Sequence, residues 1–403
     1  MFIAPAMPAE EGNGLAMRLG VSLEALSRTA EVDVVVLPVS GAADAPSPLL
    51  RRLGLEPQIV RVAGRADTQF ALLSRLADPA ARLTAFRAYG RGSRHAFLSP
   101  PVLDEVRHLA GKQDYALAHV ERLYLFEAGL AARCPRLSVD LDEDDAWSWR
   151  RSALLARRHG EVEGAAWAEA EAAAEDRLLG QLSESGATTF IASRLDFRRL
   201  RRRHPSLSPL LVPNAVVVPG KGERRDDGRT LLFVGAFGYS PNVEGVLWFI
   251  EAIWPAIRDA EPAARLLVAG SGAPAALRAH AGRDGIDVLG FVADLEGLYA
   301  RATLAIAPLR AGGGTRIKLL EAAAHGVPIV ATPLAAQGLA FGGEAIWRAA
   351  TATDFSRAVL EALATPDERA RRMERSLTLV RRRHQRASVV ADLERRFERL
   401  LEA

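Results

Sequence analysis

The sequence predicts an α/β protein with two domains, each built on a parallel β-sheet. Short apolar runs alternate with helix-like patterns along the whole chain, as they do when helices connect parallel strands. The chain has 403 residues, about twice the length of a typical domain. Composition changes abruptly near residue 220, where an apolar segment gives way to the polar run 220–228. We therefore predict one domain at 1–219 and a second at 220–403.

Each half of the chain offers six candidate strands. In the first half they are residues 2–4, 32–38, 58–62, 115–120, 137–141 and 188–192. In the second half they are residues 230–234, 264–269, 287–289, 303–307, 328–331 and 345–347. Helices are predicted at 15–30, at 243–257 and, from an unbroken alanine- and glutamate-rich stretch, at 161–181. The last helix is a candidate to pack back on the first domain.

Composition does not favour a nucleic-acid-binding, disulfide-bonded or membrane-spanning protein. The 52 Lys and Arg residues nearly balance the 49 Asp and Glu residues, so bulk charge does not favour a nucleic-acid partner. A single cysteine, Cys134, excludes an intrachain disulfide and a thiolate metal cluster, which fits a reducing cytoplasm. The sequence lacks both a membrane-length apolar run and the features of a signal peptide. We expect a cytoplasmic protein.

The most informative motif lies at residues 308–322, where an apolar strand is followed by three glycines and then a helix. Glycines allow the backbone to approach a ligand closely. A helix beginning near Thr315 would also present unpaired N–H groups and the positive end of its dipole. Gly313, Gly314 and Thr315 are therefore candidates to bind phosphate.

The helix of this motif carries charged side chains on a defined face. Lys318 and Glu321 are three residues apart and share that face, whereas Arg316 is rotated away. Lys318 is a catalytic candidate that would neutralise phosphate charge, and Glu321 is a candidate to accept hydrogen bonds from sugar hydroxyls. The alternative is a tight turn with a surface Lys–Glu pair.

Two further sites lie at predicted strand ends in the first domain. Gly12, Asn13 and Gly14 form a glycine-containing loop before the first helix, and we predict that they bind the donor at its phosphate. An ordinary loop is the alternative. His119 and Glu121 stand at the carboxyl end of another strand, where α/β folds place ligands. We treat His119 and Glu121 as catalytic candidates, with a buried core histidine and a structural Glu121–Arg122 pair as the alternatives.

Charged and aromatic clusters add weaker candidates. Residues 140–145 hold five carboxylates, which suit a divalent metal, an acceptor-contacting loop or a solvated turn. Trp147 and Trp149 follow as a candidate acceptor platform. The basic runs 194–204 and 381–384 are candidates for contact with anionic membrane or a lipid-linked acceptor, with solvated helix faces as the alternative.

The stretch from Gly312 to Ala322 resembles the donor-binding signature of family 4 glycosyltransferases, in the branch that reads G-G-G-T-R-x-K-x-L-E-A. Gly235, Gly270 and Gly290 follow earlier apolar strands in the order of that family. The resemblance implies the GT-B fold, in which two Rossmann-like domains face each other across a cleft. It also implies transfer of a sugar from a nucleoside-diphosphate sugar with retention of anomeric configuration.

The resemblance assigns roles to residues of the second domain. Glu321 would bind the nucleotide ribose, and the main chain at Phe291 and Val292 would meet the nucleobase. Gly235 would lie in the donor site. Ala236 and Asn242 stand where relatives carry two cations that contact the diphosphate. The charge would therefore have to come from Lys318 and Arg310. Arg310, Arg316 and the glycine loop are donor-binding candidates.

Two departures from the family pattern bear on catalysis. Gly313 replaces the first glutamate of a Glu-x7-Glu pair that many relatives carry. His119 matches the first histidine of the relatives' H-x-H-E-P segment, and Glu121 replaces the second.

The resemblance also indicates the partners. It implies an acceptor-side first domain, a donor-binding second domain and an acceptor that is a saccharide, a lipid-linked glycan or a small molecule. It implies neither a cofactor nor a metal. A sugar-nucleotide epimerase of the same fold and a nucleotide-sugar-binding pseudoenzyme subunit remain the alternatives.

Overall fold

The computed structural model describes residues 1–40, 45–62, 67–220 and 224–402. It contains two compact units. Unit 1 holds Met1–Asn214 and the carboxyl-terminal segment from Ser388, and unit 2 holds Ala215–Ala387. Residues 221–223 of the predicted polar run lie outside the described residues. Within the described ranges, no helix is both long enough and apolar enough to cross a membrane.

Unit 1 is built on a seven-stranded parallel sheet. Its strands are β1 (Phe2–Ala4), β2 (Val34–Val36), β3 (Gln58–Ile59), β4 (Leu117–Glu121), β5 (Arg136–Asp140), β6 (Thr188–Ile191) and β7 (Leu210–Leu211). The strand order is β3-β2-β1-β4-β5-β6-β7. The order reverses between β1 and β4, as in doubly wound nucleotide-binding folds.

Helices connect these strands. They are α1 (Gly14–Ser27), α2 (Pro48–Leu53), α3 (Thr68–Leu73), α4 (Pro79–Tyr89), α5 (Pro100–Ala110), α6 (Phe126–Ala131), α7 (Asp145–Arg158), α8 (Val162–Glu184) and α9 (Arg194–Arg203). Short 3-10 turns occur at His95–Phe97 and Leu123–Leu125. Side chains such as Val35, Val120 and Ile191 are fully buried in the core.

Unit 2 repeats this architecture with a six-stranded parallel sheet. Its strands are β8 (Thr230–Val234), β9 (Arg265–Ala269), β10 (Ile286–Gly290), β11 (Leu304–Ala307), β12 (Ile329–Ala331) and β13 (Trp347–Arg348). The order β10-β9-β8-β11-β12-β13 corresponds to the 3-2-1-4-5-6 order of Rossmann folds. The prediction of two parallel α/β sheets is confirmed.

The helices of unit 2 complete the two layers around its sheet. They are α10 (Ser240–Trp248), α11 (Trp254–Ala260), α12 (Ala275–Arg278), α13 (Leu295–Arg301), α14 (Ile317–Ala324), α15 (Ala352–Ala364) and α16 (Pro366–Arg383). A π-helical turn, Phe249–Ile253, joins α10 to α11. The last helix, α17 (Arg386–Glu402), lies mainly in unit 1, where the Phe397 ring centroid is 5.0 Å from that of His119.

Several predicted boundaries are corrected by the structure. The strand predicted at 32–38 is the shorter β2, and β7 was not predicted because its two residues carry too little pattern. The helix predicted at 243–257 is interrupted by the π-helical turn. The helix expected near Thr315 begins at Ile317, with Arg316 at its N-cap.

Candidate functional site

The site in unit 2 lies at the carboxyl ends of β8 and β11, where the strand order reverses. Open α/β sheets bind ligands at this point because the loops after the two strands diverge and leave a crevice. Here the loop after β8 begins at Gly235, and the loop after β11 contains Gly312, Gly313 and Gly314.

Gly235 allows the two loops to meet closely. A Cβ at Gly235 would lie 2.6 Å from Nζ of Lys318 on α14 and 2.9 Å from Nδ2 of Asn242 on α10. A Cβ at Gly270, after β9, would overlap the carbonyl oxygen of Gly235. Glycine at these strand ends therefore brings the Lys318 amine against the backbone that follows β8.

Asn242 holds Lys318 in this position. The Nζ of Lys318 donates a hydrogen bond of 2.7 Å to Oδ1 of Asn242, and Nδ2 of Asn242 donates one of 2.7 Å to the carbonyl of Ala236. The same Nζ lies 4.4 Å from the ring centroid of Phe233 on β8. Both ends of the buried Asn242 amide are thus used to tie the lysine to the β8 loop.

The surroundings of Lys318 make its charge sensitive to pH. The pKa of Lys318 is lowered to about 7, mainly by burial and to a smaller extent by the nearby charge of Arg316, while the charge of Glu321 acts in the opposite direction. Desolvation disfavours a charged amine that lacks an anionic contact. An anion bound beside Nζ would stabilise the ammonium form and raise the pKa of Lys318 again.

Arg310 is already paired within unit 2. Its Nε donates a 2.7 Å hydrogen bond to Oε1 of Glu244, and its guanidinium lies 4.7 Å from the ring centroid of Trp248. Glu244, on α10, neutralises the positive charge that Arg310 was predicted to supply to the donor phosphates. The positive charge of the site thus falls mainly on Lys318 and the loop N–H groups.

The glycine loop after β11 has a special backbone conformation. Gly312 has φ of +86° and Gly314 has φ of +73°, values that glycine adopts without the strain of a Cβ. Nη2 of the buried Arg316 donates a 3.2 Å hydrogen bond to the carbonyl of Ala311, so this side chain supports the loop from inside. The Tyr239 hydroxyl occupies the space that a Cβ at Gly312 would need.

The remaining predicted donor residues line the same edge of the sheet. Glu321 is half-buried on α14, and its charge adds to burial in raising the pKa of Tyr299. Phe291 follows β10 with 78% of its surface exposed, and Val292 is half-buried. Thr315 has a buried hydroxyl without a hydrogen-bond partner among the described residues.

The amino-terminal loop of unit 1 uses its polar side chain locally. Oδ1 of Asn13 accepts a 3.0 Å hydrogen bond from the N–H of Ala16, so Asn13 caps α1. Gly12 has φ of +109°, and Gly14 is the first residue of α1. The loop is exposed, but the Asn13 carboxamide oxygen already accepts a hydrogen bond from the first turn of α1.

His119 and Glu121 lie in the core of unit 1, with 1% and 0% of their surfaces exposed. Nδ1 of His119 is 2.8 Å from Oγ of Ser138, and Nε2 is 3.2 Å from Oε1 of Glu121. Burial, followed by the charge of Asp140, raises the pKa of Glu121. Neither side chain has surface for a substrate in this structure, so the geometry does not fit the expectation that they act as catalytic groups.

The acidic run after β5 is neutralised by arginines. Arg18 on α1 lies 2.8 Å from Asp140, Arg122 lies 2.9 Å from Asp145, and Arg203 lies 2.7 Å from Asp144. No group of three or more His, Cys, Asp or Glu side chains within the described ranges is arranged to hold a metal ion. The run therefore forms a buried ionic network that supports the carboxyl edge of the sheet.

Sequence reasoning missed the contributions of Asn242, Tyr239 and Glu244. The family pattern identified Asn242 only as a position where relatives carry a cation, although an amide offers both a hydrogen-bond donor and an acceptor. The partners of these side chains lie on α14 and in the loop after β11, far along the chain, so no local pattern identified them.

Comparisons with known proteins agree with this architecture. Residues 228–365 match the family model described as Glycosyl transferases group 1. Sucrose-phosphate synthase (tll1590) from Thermosynechococcus elongatus is 14% identical, and the match covers 100% of this chain and 99% of that chain with a TM-score of 0.69. Anabaena Alr3699/HepE in complex with UDP and glucose is 14% identical, with 98% and 99% covered and a TM-score of 0.56.

A third structure matches over a smaller part of its length. TarM is 8% identical with a TM-score of 0.59, and the match covers 77% of this chain but 59% of that chain. No curated protein sequence matches the chain. The similar structures and the two parallel sheets show the GT-B fold. The match over residues 228–365 shows that unit 2 carries a Glycosyl transferases group 1 domain.

Proposed function

We propose that the chain is a retaining glycosyltransferase of the family 4 type, which transfers a sugar from a nucleoside-diphosphate sugar to an acceptor. The observation that carries this proposal is the convergence of Gly235, Asn242 and Lys318 at the strand-order reversal of unit 2. A buried amine beside glycine backbone suits a diphosphate, whose charge increases as the glycosyl bond breaks.

The donor would be held by groups with separate tasks. The N–H groups of Gly313, Gly314 and Thr315 and the Lys318 ammonium would contact the phosphates. Glu321 would accept hydrogen bonds from the ribose, and the exposed segment at Phe291 and Val292 would meet the base. No step needs a metal or a cofactor, because the cation and the loop dipoles supply the positive potential.

Other predicted residues take supporting roles in this proposal. Arg316 shapes the glycine loop, and Arg310 contributes as a pair with Glu244. His119 and Glu121 stabilise the core of unit 1. The exposed loop of Gly12, Asn13 and Gly14 is assigned to the acceptor-side unit. The single cysteine supports action in the cytoplasm.

Thermal unfolding in the presence of nucleotides and nucleotide sugars tests donor binding directly. A true donor raises the unfolding temperature by mass action, whereas a non-binding nucleotide does not. UDP and UDP-glucose are the first probes, because the Anabaena neighbour was solved with UDP and glucose. GDP- and ADP-sugars complete the panel.

Variants of Glu321 test the proposed ribose contact. We expect Glu321→Ala to weaken donor binding about tenfold or more, from the loss of hydrogen bonds to a charged acceptor. Glu251→Ala, which removes an exposed glutamate elsewhere in unit 2, is the matched control and leaves binding unchanged. Equal donor affinity and turnover in wild type and Glu321→Ala would refute the assignment.

Product analysis distinguishes the possible activities. Transfer produces a glycosylated acceptor, and proton NMR of its anomeric signal reports retention or inversion. Conversion of the nucleotide sugar without an acceptor indicates an epimerase. Donor binding without any turnover over a panel of saccharide and lipid-linked acceptors indicates a binding subunit.

A further inference from the structure

The exposed face of α9 carries a stripe of arginines. Arg194, Arg198 and Arg202 are four residues apart, so they lie along one side of the helix, and all three are exposed. The described structure shows no acidic partner for any of them. Arg199 and Arg203, at the edge of this stripe, pair instead with Asp196 and Asp144. The stripe therefore keeps its full positive charge.

A second set of arginines on α7 adjoins the first. The Arg199 guanidinium lies 4.3 Å from the ring centroid of Trp147, which connects α9 to the first turn of α7. Burial, followed by the like charges of Arg158 and Arg199, lowers the pKa of Arg151. Among the described residues, neither Arg151 nor Arg158 has a carboxylate partner, so these like charges favour an anionic partner.

An apolar side chain lies among these charges. Leu154 is 43% exposed and lies three residues after Arg151 and four before Arg158, on the same face of α7. A leucine surrounded by long basic side chains suits a lipid surface, where the leucine enters the acyl boundary and the arginines reach the phosphates. Glu161 and Glu163, both exposed, follow this helix at the start of α8.

We propose that this face of unit 1, formed by Arg151, Leu154 and Arg158 of α7 with the arginine stripe of α9, docks on membranes that contain anionic lipids. The headgroup phosphates pair with the arginines, and Leu154 supplies the apolar contact. A nucleic acid fits less well, because the face presents an aliphatic side chain instead of exposed aromatic rings that stack on bases. The docking is independent of sugar transfer.

Vesicle co-sedimentation of the full chain tests the proposal. We expect binding to phosphatidylcholine vesicles that contain phosphatidylglycerol, none to phosphatidylcholine alone, and weaker binding as salt increases. Changing Arg194, Arg198 and Arg202 to glutamine should weaken binding on the order of 100-fold, since each arginine near an anionic surface contributes a factor of about five. Leu154→Gln should weaken it several-fold.

The matched control removes three charges elsewhere. Changing Arg381, Arg382 and Arg383 to glutamine alters net charge equally, and these three exposed residues lie on α16 of unit 2. If this control loses vesicle binding as strongly as the α9 variant, bulk charge is responsible and the proposal is wrong.

Two further outcomes would also overturn it. One is failure of the wild-type chain to bind the anionic vesicles. The other is unchanged vesicle binding by Leu154→Gln together with equally tight binding of the wild type to a DNA oligonucleotide, which would identify a general polyanion surface. Circular dichroism confirms that each variant is folded. A failed vesicle assay leaves donor binding measurable, so the two proposals are tested separately.

Discussion

Lys318 shows how one buried amine can couple a binding site to pH. The pKa of Lys318 is lowered to about 7 by burial, so at neutral pH the free site holds a mixture of ammonium and amine. Only the ammonium form attracts a diphosphate strongly. If Lys318 contacts the donor as proposed, the main cation of the donor site is partly discharged until a ligand binds.

Donor affinity should fall as pH rises above about 7. A bound diphosphate raises the pKa of Lys318, so below about pH 7 the lysine is already protonated and affinity is highest. Above the free-state pKa, binding must take up a proton, and affinity falls up to about tenfold per pH unit until the bound-state pKa is reached. Titration calorimetry in buffers of different ionisation enthalpy measures this proton uptake. Lys318→Met should abolish it, and a flat affinity profile in wild type would contradict the prediction.

Asn242 is predicted to set the position and the pKa of this lysine. Asn242→Ala removes both of its hydrogen bonds and should raise the donor KM about tenfold, with a smaller change in kcat. Asn242→Asp should instead raise the pKa of Lys318 and move the fall in donor affinity to higher pH. An unshifted pH profile in Asn242→Asp would show that the amide only supports the loop.

At the scale of elements, the ends of β8 and β11 form the site because glycines let loops and helices approach each other there. Gly245 on α10 illustrates the packing, since a Cβ there would lie 2.9 Å from the carbonyl oxygen of Pro308. Helix α10 thus lies directly against the strand end that precedes the glycine loop. The position of Asn242 on the same helix follows from this contact.

Two neighbouring glycines provide a matched test of this arrangement. A Cβ at Gly235 would lie 2.6 Å from Nζ of Lys318, whereas one at Gly238 would have no atom within 4 Å. Gly235→Ala should displace both the Lys318 amine and the buried Asn242 amide. We expect donor binding to weaken about tenfold or more, with some loss of stability because the hydrogen bonds of Asn242 are disturbed. Gly238→Ala should leave binding unchanged and stabilise slightly by reducing unfolded-state entropy. Calorimetry measures both, and equal donor affinities would disprove the lysine contact.

At the scale of the whole molecule, the last helix belongs to the first unit. Phe397 of α17 is fully buried, and its ring centroid lies 5.0 Å from that of His119 and 5.8 Å from that of Phe190. The carboxyl terminus thus completes the core around a buried His–Glu pair. A chain that lacked α17 would expose this pair to water.

Loss of the Phe397 ring should destabilise unit 1. Phe397→Ala is expected to lower the free energy of unfolding by about 3–5 kcal/mol, the range for large-to-small changes of buried aromatic side chains. Phe291→Ala, at a side chain that is 78% exposed, is the control and should stay within about 0.5 kcal/mol. Denaturant unfolding followed by circular dichroism distinguishes them, and similar midpoints would show that α17 contributes little.

The stability of unit 1 should also depend on pH through Glu175. Burial, followed by the charge of Asp145, raises the pKa of Glu175 to about 8. The folded state then binds more protons than the unfolded state, so stability is highest below the unfolded pKa and is lost as pH rises through about 8. Glu175→Gln should remove this loss and gain on the order of 2 kcal/mol over wild type at high pH. Urea unfolding from about pH 5 to about pH 9 measures the gap, which should widen with pH.

Much of the fold was predictable because strand signals are local. Strands of a parallel sheet are buried on both faces, so runs such as Leu304–Ala307 are apolar throughout and stand out in the sequence. The importance of the glycines after β8 and β11 was predictable for a similar reason. Positive φ at Gly312 and Gly314 and the close approach of other atoms at Gly235 permit few other residues. The ends of α14 and of the short β7 were not, because helix caps and two-residue strands depend on neighbouring elements.

The sequence by itself determined two α/β domains, the order of their strands along the chain, and the glycine loop with its lysine and glutamate. Tertiary structure alone decided the state of the charges: Arg310 meets Glu244, Lys318 meets Asn242, and His119 with Glu121 is enclosed beneath Phe397. The physical reason is the separation along the chain of the residues that determine each property. Apolar runs and glycine conformations are properties of a few consecutive residues, whereas desolvation and ion pairing depend on side chains that only folding brings together.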